Sequence, residues 1–151
     1  MFVAYSNHFN FIELWLFKKN RLSFTGLYIY STKLRVKDLM NWISLQQPEQ
    51  LLQLKQLSFE RPQLIFKHST RCSISIIAKS RLERSDPPPG VDFYYLDLLN
   101  HRALSNQVAE DYDVFHQSPQ VLLVINGECI YEETHNAISM EEIADQLVQK
   151  K

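Results

Sequence analysis

Two cysteines, Cys72 and Cys129, carry whatever thiol chemistry this chain can do. Cys72 stands in Lys67-His68-Ser69-Thr70-Arg71-Cys72-Ser73-Ile74-Ser75, directly after the compact apolar run Gln63 to Lys67 and at the start of a segment with helical character. A strand-to-helix turn sets a sulfur against unpaired backbone N–H groups and the positive end of the helix dipole. Both favour the thiolate, which is the reactive form. Arg71 and Lys67 add positive charge within reach. The spacing Cys72-Ser73-Ile74-Ser75 is C-x-x-S, with a hydroxyl where a dithiol oxidoreductase has its second cysteine. A lone thiol of this kind attacks a mixed disulfide and is released by an external thiol. Cys129 follows Asn126-Gly127 on a hairpin strand, which makes it a strand filler and a poor geometric match for resolving Cys72.

Other chemistries find few residues to rest on. His68, His101, His116 and His135 lack close metal-ligand spacing, and no H-x-E with C-x-x-C occurs, so zinc is not indicated. GxGxxG, P-loop and GxSxG patterns are absent. His68 reads as a turn histidine bonded to backbone, with modulation of the thiolate as the alternative, and Asp97 as a loop cap at a strand end in preference to a base. Lys plus Arg number 16 against 17 acids, a net charge of -1, which gives no overall drive towards nucleic-acid phosphates. Two cysteines are too few for a disulfide-stapled secreted scaffold, which points to a reducing cytoplasm.

The elements that position Cys72 follow from periodicity. Trp42 to Leu45 reads as a short strand, and Gln46 to Phe59 as a helix with Leu51, Leu52, Leu54 and Leu57 on one face and Pro48 in its first turn. Gln63 to Lys67 is a buried strand. Ser69-Thr70 supplies a turn and a candidate N-cap. Ser75 to Arg84 is a helix carrying Ile76, Ile77, Ala78 and Leu82, ended by Asp86-Pro87-Pro88-Pro89-Gly90. Val91 to Asp97 is a second strand of the unit, and Arg102 to Tyr112 a helix, so the strands of this β-α-β-α unit should run parallel. Val121 to Ile125 and Glu128 to Glu133 form a hairpin across Asn126-Gly127. Ser139 and Glu142 make a capping box for a last helix with Ile143, Leu147 and Val148 as its apolar stripe.

The order β-α-β-α-β-α-β-β-α, α/β with a mixed sheet flanked by helices, is the layout of the thioredoxin fold. In that layout Ser118-Pro119 precedes the hairpin strand, where such proteins place a cis-proline facing the cysteine. There Ser118 would offer its backbone to a substrate chain in extended form, pairing like an added strand.

Composition changes sharply at Met40. Residues 1–39 carry a balance of +4 and hold nine of the eighteen aromatics, while all six prolines and all eleven glutamines come later. Phe9 to Phe17 is too short, with Asn10 and Glu13 inside it, to cross a membrane. The expected division is an N-terminal extension, 1–39, and a thioredoxin-like domain, 40–151. The favoured reading of 1–39 is a segment upstream of the true start at Met40, or a disordered leader; an amphipathic surface helix or a packed appendage are the alternatives.

The Lys67 to Ser75 segment, together with Arg102-Ala103-Leu104-Ser105-Asn106 and His116-Gln117-Ser118-Pro119-Gln120, resembles the bacillithiol-system redox-active family, the monothiol bacilliredoxins, over Met40 to the C-terminus. The resemblance implies a cytoplasmic protein that takes bacillithiol from S-bacillithiolated clients onto the cysteine matched by Cys72. Bacillithiol is then a cosubstrate and no tightly bound cofactor is expected. A low-molecular-weight thiol would regenerate Cys72. Thr70, Arg71, Ser73, Ser75, Ser118 and Pro119 are the expected substrate-binding residues. Ser73 departs from the family, in which many relatives carry proline after the cysteine. Two alternatives stand beside this: a non-catalytic thioredoxin-like interaction module, and a glutathione-dependent monothiol oxidoreductase.

Overall fold

The computed structural model describes residues 40–150, and the N-terminal extension expected over 1–39 lies outside the described residues. Five strands form one mixed sheet in the order β1-β3-β2-β4-β5. They are β1 (Trp42–Ser44), β2 (Gln63–His68), β3 (Asp92–Asp97), β4 (Gln120–Ile125) and β5 (Glu128–Thr134). The helices are α1 (Pro48–Leu57), α2 (Ser73–Arg84), α3 (Arg102–Asp111) and α4 (Met140–Gln149), with a 3₁₀ turn at His135–Ala137. No described helix is long and apolar enough to cross a membrane.

β2 is central because all six of its residues are buried. It runs parallel to β3, as the β-α-β reading requires, and antiparallel to β4. Its side chains alternate between two cores. Ile65 joins Leu51 and Leu54 of α1 and Leu104 and Val108 of α3 on one face. Leu64 and Phe66 join Ala78 and Leu82 of α2 and Ile143 of α4 on the other. Each such aliphatic side chain, fully buried, contributes about 1.5–3 kcal/mol.

Helical period decides which apolar residues face these cores. On α2 the inward stripe is Ser75, Ala78 and Leu82, at spacings of three and four. Ile76 and Ile77, read from the sequence as part of the apolar character, point outward at 51% and 55% exposure. α4 shows the same effect, since Met140 and Ile143 are buried while Val148, placed on the stripe, is 71% exposed. The Ser139 hydroxyl accepts the Glu142 N–H, but the Glu142 carboxylate accepts from Gln146 instead of closing the capping box. At the start of α1, Gln50 Oε1 accepts the N–H groups of Gln46 and Gln47 at 2.7 and 2.9 Å, while the Gln50 N–H donates to Gln47 O at 3.1 Å. Asn126 and Gly127 both have positive φ, which gives the tight β4–β5 turn its hairpin geometry. The Ser58 hydroxyl accepts the Gly127 N–H at 2.8 Å, tying that turn to the end of α1.

Candidate functional site

Cys72 is the N-cap of α2, in extended conformation, and is half-buried. Its N–H donates to Ser69 O at 3.2 Å and its carbonyl accepts the Ile76 N–H at 3.0 Å, so the Ser69-to-Cys72 turn is closed by backbone bonds at both ends. The cap is therefore Cys72 and not Ser69 or Thr70. Thr70, Arg71 and Ser73 are exposed around it. Ser75 differs from them: it is fully buried, and its hydroxyl lies 2.8 Å from His68 Nδ1 while accepting the Ser69 N–H at 3.0 Å. As placed, it is an interior strut of the cysteine turn and offers no surface to a substrate.

His68 is the last residue of β2 and not a turn residue, and its ring Nδ1 lies against the Ser75 hydroxyl. It is 4% exposed and packs at 5.4–5.6 Å between the rings of Phe66 and Tyr95. Burial, followed by the nearby Lys79 ammonium, lowers its pKa below the usual histidine value, against the opposing pull of Asp97 and Ser75. The Ser75 hydroxyl thus links the His68 ring to the Ser69 N–H, which it accepts with an oxygen lone pair. Lys79 in turn lies over the Tyr95 and Trp42 rings and pairs with Glu83.

Lys67, one residue back, faces the opposite side of the sheet. It is fully buried, and Nζ donates to Gln120 Oε1 at 2.9 Å. Burial brings its pKa down to about 8, with Glu132 resisting and Arg102 adding to the fall. The sequence reading placed this charge beside Cys72; the structure commits its ammonium to Gln120. Gln120 directly follows the Ser118–Pro119 peptide, which is cis. Its amide Nε2 donates to Phe115 O and to Glu132 Oε2, both at 2.9 Å, and Oε1 also accepts the Gln117 N–H at 3.3 Å. Gln120 and Glu132 were not singled out from the sequence as site residues. The available signal was a lysine closing an otherwise apolar buried strand, because a buried cation demands a partner.

Asp97 caps the loop after β3, as expected: its carboxylate accepts from the Leu99 N–H at 3.0 Å and from Asn100 Nδ2 at 2.8 Å. Cys129 packs against the α1/α3 core, and burial pushes its thiol up to about 11. Its register partner is Val124, whose partner on β2 is Gln63, five residues before His68. At about 3.3 Å per residue that separates Cys129 from the cysteine turn by roughly 16 Å along the sheet, beyond disulfide reach.

Residues 43–143 match the family described as Monothiol bacilliredoxin BrxC. The chain belongs to that family. Its bacilliredoxin core is similar to a solved protein assigned as an oxidoreductase with a thioredoxin fold, at 29% identity and a TM-score of 0.61, over 70% of this chain and 92% of that one. It is also similar to thioredoxin from Trypanosoma brucei brucei, at 13% identity and a TM-score of 0.59, covering 74% of this chain and 92% of that one. Malassezia sympodialis thioredoxin gives 17% identity and a TM-score of 0.57, over 72% and 90%. The last two show the fold alone. A bacilliredoxin-family sequence on a thioredoxin fold supports redox function and interaction with a low-molecular-weight thiol.

Proposed function

We propose that this protein is a cytoplasmic monothiol oxidoreductase that removes bacillithiol from S-bacillithiolated proteins through Cys72. One observation carries the reading: of the two positions of the C-x-x-S pattern, the cysteine caps α2 half-exposed while the serine is buried and bonded to His68. The N-cap site favours an anion by its free first-turn N–H groups. The Cys72 thiolate attacks the bacillithiol sulfur of the mixed disulfide. A Cys72–bacillithiol bond forms, the client–bacillithiol bond breaks, and the client leaves as a thiolate that takes a proton from water. With no internal thiol in reach, a second bacillithiol thiolate attacks the bacillithiol sulfur held on Cys72. That step releases Cys72 as thiolate and gives bacillithiol disulfide. In this reading the exposed Thr70, Arg71 and Ser73 beside Cys72 in sequence contact the bacillithiol, and Ser118–Pro119 offers an extended client chain a backbone edge.

The test is release of bacillithiol from a client peptide carrying it in mixed disulfide, with Cys72→Ser as control. Turnover by the native protein and none by Cys72→Ser is expected; equal rates in the two would refute the reading.

A further inference from the structure

The buried polar group that this exchange does not use is Lys67, and its surroundings have a direction. β2 and β4 are in register at Lys67 and Gln120, so the two side chains rise together on the α1/α3 face. The Gln120 amide then lies between an ammonium at its oxygen and the Glu132 carboxylate at its nitrogen. Turned over, the same amide would aim N–H groups at a cation and an oxygen at an anion, so the two charges set its orientation. In the orientation they set, it bonds Phe115 O and the Gln117 N–H, which belong to the segment leading into Ser118–Pro119. Other charged or titratable groups facing Lys67 are Arg102 of α3 and His116 of that same segment. None of these contacts runs to Cys72.

We infer that Lys67 is a positioning residue for the client: acting through Gln120, it fixes the Phe115–Ser118 segment against which an extended client chain docks at Ser118–Pro119. The inference rests on the exchange reading above and adds to it a division of labour. Chemistry at Cys72 does not need Lys67, whereas recognition of a polypeptide does. A small disulfide, having no chain to dock, is blind to the strut.

The experiment compares the native protein with Lys67→Met, which keeps length and burial but removes the donor, and with Glu132→Gln at an exposed position on β5. Two substrates are used: a client peptide with bacillithiol in mixed disulfide on its cysteine, and 5,5′-dithiobis(2-nitrobenzoate). For Lys67→Met the expectation is a peptide KM raised about tenfold, with kcat and the small-disulfide rate within about twofold, and for Glu132→Gln a KM raised about threefold. An unchanged peptide KM in folded Lys67→Met overturns the inference, and so does an equal loss on both substrates. If Lys67→Met does not fold, Glu132→Gln decides by the same criterion. A native protein that reacts with the small disulfide but does not turn over the peptide refutes the exchange reading itself, and the inference falls with it.

Discussion

Lys67 and His68 are neighbours at the end of one strand, both buried and both polar, yet they serve opposite faces of the sheet. His68 turns towards α2, where it meets Ser75 and through it the Ser69 N–H of the cysteine turn. Lys67 turns towards the α1/α3 face, where it meets Gln120 and through it the segment before Pro119. His68 is held by the Ser75 hydroxyl, with aromatic rings on both sides. Lys67 is held by the Gln120 amide, which a carboxylate two strands away orients. The difference teaches how a strand end can hold two loops independently: alternation sends successive side chains to separate networks, so each loop has its own anchor.

The largest expected effect is Cys72→Ser, which leaves both anchors in place and abolishes bacillithiol release; residual turnover near the native rate would show that neither anchor serves this thiol. Next comes the charge on Lys67. Its folded pKa of about 8 lies below the model-peptide 10.5. Between those values the unfolded chain binds more protons than the folded one, so the Lys67 contribution to stability rises as pH climbs through that window. The gain amounts to at most about 3 kcal/mol. Urea unfolding near neutrality and again about pH 9.5 reads it as the native-minus-Lys67→Met difference, in which the tyrosines cancel. A flat difference would remove the charged anchor from the comparison.

Ser75→Ala is expected to act on the other face and to cost about 1–3 kcal/mol, because it strands the Ser69 N–H and His68 Nδ1 in the interior. Its kinetic signature should be the reverse of Lys67→Met: an altered Cys72 alkylation rate with an unchanged peptide KM. Identical signatures from the two variants would dissolve the distinction between the anchors. The smallest effect belongs to Val148→Lys, expected within about 0.5 kcal/mol because the side chain already faces solvent.

Element type and order were legible because period and punctuation agree: Pro62, the Pro87-Pro88-Pro89 run and Asn126-Gly127 separate segments whose spacing is plainly helical or extended. The parallel pairing of β2 with β3 followed from the β-α-β order. Facing was less legible. Ile76, Ile77 and Val148 are as apolar as the core residues beside them, and only the inward turn of Ser75, Ala78 and Leu82 tells them apart. A buried serine on that stripe is invisible to any hydrophobic pattern. Of the candidate site, the place of Cys72 at a strand-to-helix turn could be read directly. The roles of Lys67 and Gln120 could not, since their bond spans 53 residues and depends on register between β2 and β4, which no local signal encodes.

The most direct test of the central claim is intact-mass analysis of the native protein, Cys72→Ser and Cys129→Ser after incubation with a bacillithiol mixed disulfide near pH 8. The account predicts one bacillithiol added to the native protein and to Cys129→Ser, and none to Cys72→Ser, because burial keeps the Cys129 thiol protonated with a pKa of about 11. Addition at Cys129, or no addition to the native protein, would contradict it.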